Sequence, residues 1–263
     1  MGSFSLGTIW EQTVAFLRRE NGLLVPVALA IYGPAQLMLD VGLTAAMAAR
    51  SAQPALPSEA LLVLPGALLL LFGNLAIARI VLTPGVSVAE ALAGATRRVG
   101  PALGAMLMLF AVVLAVGLAI IVAATMGAMI FGADPKSPAL AMQLSALVIV
   151  PMIVLWVRML MLPAVLAKEE QGVMAALRRA WALSRGQGAR FVGVILLTTF
   201  LGIVVAMIEQ FVVGSLIGLA KLATGEDQIF ALLGTVLNAG IEALLAMAVA
   251  VYLALIYRAL VSD

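Results

Sequence analysis

The sequence predicts an all-α polytopic membrane protein: six transmembrane helices in three repeats, each an amphipathic surface helix followed by two spans. Three observations lead there. Of 263 residues, 64% are apolar and only 11% are charged, with a mean hydropathy of +1.19, whereas about a quarter of the residues in a water-soluble domain are charged. Six apolar stretches exceed the roughly 20 helical residues that cross about 30 Å of hydrocarbon. The basic residues, finally, gather on alternate connections.

Taken in order, residues 3–20 come first. Phe4, Ile9, Phe16 and Leu17 alternate with Glu11, Gln12, Arg18 and Arg19, and Trp10 stands at the apolar edge, as in a helix lying in the headgroup layer. The first 17 residues carry no Lys or Arg, so the stretch does not read as a signal peptide. Two spans follow at residues 22–49 and 59–82, then a second amphipathic stretch at 83–100. The next spans cover 101–132 and 139–167, a third amphipathic stretch covers 168–190, and the last two spans cover 191–221 and 228–260. The connections 50–58, 133–138 and 223–227 are short. Pro26, Pro34, Pro65 and Pro151 release backbone carbonyls within spans, but they do not form the paired broken helices of a secondary transporter.

Charge sets the expected orientation. With the N-terminus inside, Arg18, Arg19, Arg97, Arg98, Lys168, Arg178, Arg179, Arg185 and Arg190 are cytoplasmic, joined by the span-end residues Arg79, Arg158 and Arg258. Only Arg50, Lys136 and Lys221 lie outside. Basic residues are retained on the cytoplasmic face, so both termini are expected there, in a bacterial inner membrane.

The repeat rests on two markers. Arg-Arg pairs recur at residues 18, 97 and 178, at steps of 79 and 81. Arg79 and Arg158 are 79 apart, and each precedes a proline by five residues, Pro84 and Pro163. A basic cytoplasmic side gives some periodicity without a repeat, but it does not produce the shared Arg-to-Pro spacing. The units are residues 1–82, 83–167 and 168–263, within one membrane domain, the third closing at Arg258 with its extra length in spans five and six.

Residues 161–186 run from Met161-Leu162-Pro163 through Lys168-Glu169-Glu170-Gln171-Gly172 into an Ala-Leu helix with Trp181, ending in Ser184-Arg185-Gly186. This segment resembles the signature of bacterial proteins described as glycerophosphoryl diester phosphodiesterase membrane domains, and of related six-span inner-membrane proteins. The resemblance implies a six-helix membrane module, in some members fused to a soluble phosphodiesterase. This sequence has no such soluble domain, so that activity does not carry over.

Chemistry is limited by inventory. Without His or Cys, the chain cannot build a Ser-His-Asp or Cys-His nucleophile, a His-ligated haem, a thiolate cluster or an ordinary zinc site. No cofactor is expected, and no paired acidic metal motif stands at either interface. An enzyme acting on lipid is the least favoured reading. Nucleic acid is not expected as a partner, because the net charge is only +2 and the basic residues already serve topology.

Two residue groups remain. Glu209 and Glu242 fall mid-span, where an ionised carboxylate costs at least about 2.5 kcal/mol. With Asp40, Gln210 and Asn238 they either line a polar cavity for a proton, cation or headgroup, or hydrogen-bond across the last hairpin to hold it in register. Arg79, Arg158 and Arg258, with Arg178 and Arg179, either snorkel to the headgroups or grip lipid phosphate. Small residues at four-residue spacing mark expected helix contacts: Ala111 to Gly127 in span three, Thr198 to Gly218 in span five, Gly234 to Ala254 in span six. Together these favour a non-enzymatic, lipid-contacting scaffold or accessory subunit whose partners are membrane lipids and other membrane proteins. The alternative is a transporter or channel for a small solute or ion, using the buried carboxylates.

Overall fold

The computed structural model describes residues 5–52, 57–130, 137–225 and 227–261. Among them there is no strand, and six helices are long and apolar enough to cross a membrane. In chain order the elements are α1 (Leu6–Ala52), a 3₁₀ turn (Ser58–Leu62), α2 (Val63–Leu82), α3 (Val88–Ile130), α4 (Pro138–Met159), α5 (Leu162–Lys168), α6 (Val173–Leu183) and α7 (Gly188–Ile208). A π-helical turn (Glu209–Val213) then leads into α8 (Gly214–Thr224), and α9 (Asp227–Val261) closes the chain. Residues 53–56 of the connection 50–58, and residues 133–136 of the connection 133–138 with Lys136 among them, lie outside the described residues.

The expected surface helices take two forms. In the first two units they run without interruption into the following span, making α1 47 residues long and α3 43. Nothing between Glu20 and Leu23 forces a turn, and α3 continues through Pro101 although that residue has no N–H to donate to the preceding turn. A helical Gly22 or Gly100 costs about 1 kcal/mol, less than leaving backbone groups unpaired near the hydrocarbon. The third unit does break: α6 is separate, bounded by Gly172 and by a Ser184-to-Gln187 turn with Gly186 at φ +80°. There the Ser184 hydroxyl donates to the Trp181 carbonyl at 2.8 Å, satisfying an end that α6 cannot satisfy itself. α3 begins with a capping box: the Ser87 amide and hydroxyl donate to the Glu90 carboxylate at 3.0 and 2.8 Å, and the Glu90 amide donates to the Ser87 hydroxyl at 3.2 Å. Pro65 falls in the first turn of α2, where a missing N–H removes no helical bond.

Helices α1, α2 and α9 form the centre, with α5 packed against α2. α9 runs antiparallel to α1: Trp10 meets Tyr252 edge-on at 5.9 Å, and Leu29 reaches Gly240. The leading segment of α1 therefore spends its apolar face on protein as well as on the interface, burying Ile9 and Thr13. Buried residues concentrate at the end of the bundle that carries the arginines, including Leu75 to Leu82, Met161 to Ala167 and Val251 to Tyr257. Toward the other end the helices splay, and Phe110, Leu118, Ile153, Phe200 and Phe211 are exposed. Water drives apolar groups together where the chain leaves the bilayer, whereas lipid tails accept them singly within it.

Small residues set the closest approach, but not where span three predicts. Ala111, Ala115, Ala119 and Ala123 are exposed, so that row is not a buried helix seam. In α9, Ala250 and Ala254 are buried as expected. A close seam joins α1 to α2, through Gly42 and Gly66, and through Gly73 against the Tyr32 ring.

Candidate functional site

The carboxylates meet where the packed half of the bundle gives way to the splayed half. Gly202 and Ala206 of α7 and Glu209 of the π-helical turn recur at helical spacing and form one face, which looks across a cavity of about 500 Å³ at Glu242, Ala246 and Val249 of α9. α1 contributes Tyr32 and Gln36, one turn apart, and α2 contributes Asn74. The Tyr32 hydroxyl donates to Asn74 Oδ1 at 3.0 Å, joining these two walls.

Glu209 opens the π-helical turn and is 92% buried (8% exposed). Such turns interrupt the regular ladder at a cost and occur often at functional positions. Its Oε1 is buried with no hydrogen-bond partner. Glu242 is half-buried on the facing helix, and Asp40 lies within electrostatic reach of both. The ion pairs among the described residues join Arg19 to Glu20, Arg98 to Glu170 and Arg179 to Glu169, and none reaches these three carboxylates.

Of the predicted cavity residues, Glu209 and Glu242 line it. Asp40 sits one turn beyond Gln36 and does not touch the cavity. Gln210 is exposed, because adjacent helical residues point about 100° apart and its neighbour faces inward. Asn238 is one turn from Glu242, with its Oδ1 buried and unpartnered, but it is not in the lining. Glu209 Oε1 and Asn238 Oδ1 are each buried with no hydrogen-bond partner among the described residues. Tyr32, Gln36 and Asn74 were missed. The sequence does carry a sign of two of them, since Tyr32, Gln36 and Asp40 form a polar row at four-residue spacing.

The arginines are used separately. Arg79 crosses Gly94, whose lack of a side chain makes room for the guanidinium, and donates to the Ala167 carbonyl at 3.4 Å. Lys168 donates in return to the Leu82 carbonyl at 3.3 Å. The ends of α2 and α5 thus cap one another, each cation meeting the other's unpaired carbonyls. Arg158 stacks on the Trp181 ring at 5.1 Å. Arg178 and Arg258 are exposed, and Arg179 pairs with Glu169. The three span-end arginines therefore have three different environments.

The acidic segment of the 161–186 motif acts as a staple. Glu169 accepts from Tyr257 of α9 at 2.7 Å and from Arg179 of α6 at 3.2 Å, and Glu170 pairs with Arg98 of α3 at 3.3 Å. With Lys168, three consecutive residues reach α2, α3, α6 and α9. The Glu169 side chain is 16% exposed and that of Glu170 86%. Glu169→Ala is expected to cost about 2 kcal/mol, because it strands a buried hydroxyl and an arginine. Glu170→Ala is expected to cost less than about 1 kcal/mol, like other solvated pairs. Thermal unfolding of the two variants in one detergent checks the order.

A family model described as a domain of unknown function (DUF7847) matches residues 6–260. No curated protein and no solved structure matches the chain.

Proposed function

We propose that this chain, which belongs to the DUF7847 family, moves a small cationic solute across a membrane in exchange for protons, with Glu209 and Glu242 as the binding pair. The carrying observation is that these two carboxylates face one cavity with no basic partner among the described residues, and one of them is buried with an unpaired oxygen. At that depth an uncompensated carboxylate is costly, so each takes up either a proton or a cation. Exclusive occupancy by one or the other is the elementary requirement for exchange. The π-helical turn beside Glu209 supplies a place where α7 can change register between states.

The test uses purified protein in vesicles with an imposed pH gradient, reported by a trapped dye. Addition of a transported cation should collapse the gradient in loaded vesicles and not in empty ones. If neither inorganic nor organic cations collapse it, the transport reading fails.

The scaffold reading keeps one observation of its own: an apolar groove between α3 and α4, lined by Val112, Val116, Ile120, Met152 and Leu155. Lipid chains fill such a groove as well as a partner helix does, which is why the acidic cavity ranks first. As part of the same proposal, the chain sits in a bacterial inner membrane with both termini cytoplasmic, supported by the asymmetry of its arginines. Exposed Arg178 and Arg258 would then meet anionic lipid. The three-unit repeat and the relation to glycerophosphoryl diester phosphodiesterase membrane domains belong here too. Arg79 and Arg158, which occupy matching positions, each pack on the helix that opens the next unit, Gly94 for one and Trp181 for the other.

A further inference from the structure

We propose that the cavity between α1, α2, α7 and α9 takes an amphiphilic organic cation, an ammonium or other onium group carrying an apolar body, rather than a bare metal ion. This rests on the reading of Glu209 and Glu242 as a cation-binding pair and narrows its substrate class.

Charge supplies the first part. Glu209 lines the cavity with its Oε1 buried and without a hydrogen-bond partner, and Glu242 stands on the facing wall. An anion would add to this negative charge. A neutral solute would leave it uncompensated.

Geometry argues against the bare ion. A calcium ion needs six to eight oxygens at about 2.3–2.6 Å, and magnesium needs a near-octahedral set. Among the described residues, no group of three or more acidic side chains is close enough to hold a metal. The space of about 500 Å³ greatly exceeds a dehydrated ion. It falls instead in the range of small-molecule pockets, which combine apolar walls with a few converging polar groups.

The walls match such a molecule. Leu70 of α2, Val205 of α7, and Leu245 and Val249 of α9 offer apolar surface beside the carboxylates. Gln36 adds an amide that can accept from an N–H of the ligand. A metal ion or hydrated alkali ion has no use for the apolar part, whereas an onium with hydrocarbon arms buries those arms while its charge meets Glu209 and Glu242.

Equilibrium binding of radiolabelled tetraphenylphosphonium to the full-length protein in detergent tests this, with sodium, potassium and magnesium chloride as competitors. Binding should be saturable, resist the inorganic salts, and weaken about tenfold or more in Glu209→Gln and in Glu242→Gln, while Gln210→Ala binds as the parent does. A second measurement needs no variant: carbodiimide modification of Glu209 or Glu242 in the parent protein, located by peptide mass, should be slowed by the phosphonium and not by the salts. Absence of saturable binding, equal binding by the glutamine variants, or protection by inorganic cations alone overturns the inference. Gradient collapse by inorganic cations with no onium binding removes this inference and leaves the transport reading. Carboxylate-dependent onium binding with no flux does the reverse.

Discussion

Glu209→Gln and Glu242→Gln each reduce cation-driven collapse of a pH gradient by roughly 100-fold, the size expected when one member of a buried charged pair is removed. Glutamine keeps the shape of the side chain and exchanges one acceptor oxygen for an amide donor, but can neither bind a proton nor balance a cation. Because Glu209 Oε1 lacks a partner in the fold, its replacement removes no internal bond from that atom and leaves the helix bundle intact. Unfolding temperature and elution profile should therefore match the parent, which separates loss of function from loss of structure. Asp40→Asn acts only through space and lowers flux by a smaller factor, on the order of threefold. Gln210→Ala, facing outward beside Glu209, leaves flux unchanged. Equal flux in the two glutamine variants and the parent would remove the cavity from the mechanism.

Gly73→Val carries the largest expected loss of stability. A Cβ there would lie 2.7 Å from Tyr32 Cε1 and 2.9 Å from Cζ, and Tyr32 is fully buried. The ring cannot yield without giving up its bond to Asn74, so overpacking and the lost hydrogen bond combine to about 2–4 kcal/mol. The same displacement moves one wall of the acidic cavity, so onium binding should fall along with stability. Gly127→Ala is the control. Nothing lies within 4 Å of a Cβ at that position, and relief of helical glycine should make the variant neutral or more stable by up to about 1 kcal/mol. Residual activity after graded heating in detergent separates the two. Equal half-lives would mean that α1 and α2 are not held at the distance described.

These contrasts show what the chain makes legible. Ala111 to Gly127 and the α1–α2 glycines look alike in one dimension, since small residues recur in both. Only the pairing of helices shows that Gly66 and Gly73 face a neighbour while Ala115 faces outward. Glu209 and Glu242 stand out by themselves, because a carboxylate inside twenty apolar residues has no inexpensive explanation. Tyr32, Gln36 and Asn74 do not stand out, for each is cheap enough within a span to need none. The Lys168-Glu169-Glu170 segment reads only as a recurring pattern until its contacts with α2, α3, α6 and α9 are seen.

The linear order of residues determined the solvent, the six spans and the two mid-span carboxylates. All of these follow from transfer energies that add residue by residue along a single helix. Tertiary structure decided which faces meet. It placed Glu209 opposite Glu242, turned Gln210 away, gave Arg79 and Arg158 separate partners, and joined two amphipathic segments to their spans without a break. In lipid the choice among helix faces depends on shape and on a few polar bonds between distant segments rather than on hydrophobicity, and composition along one helix does not record it.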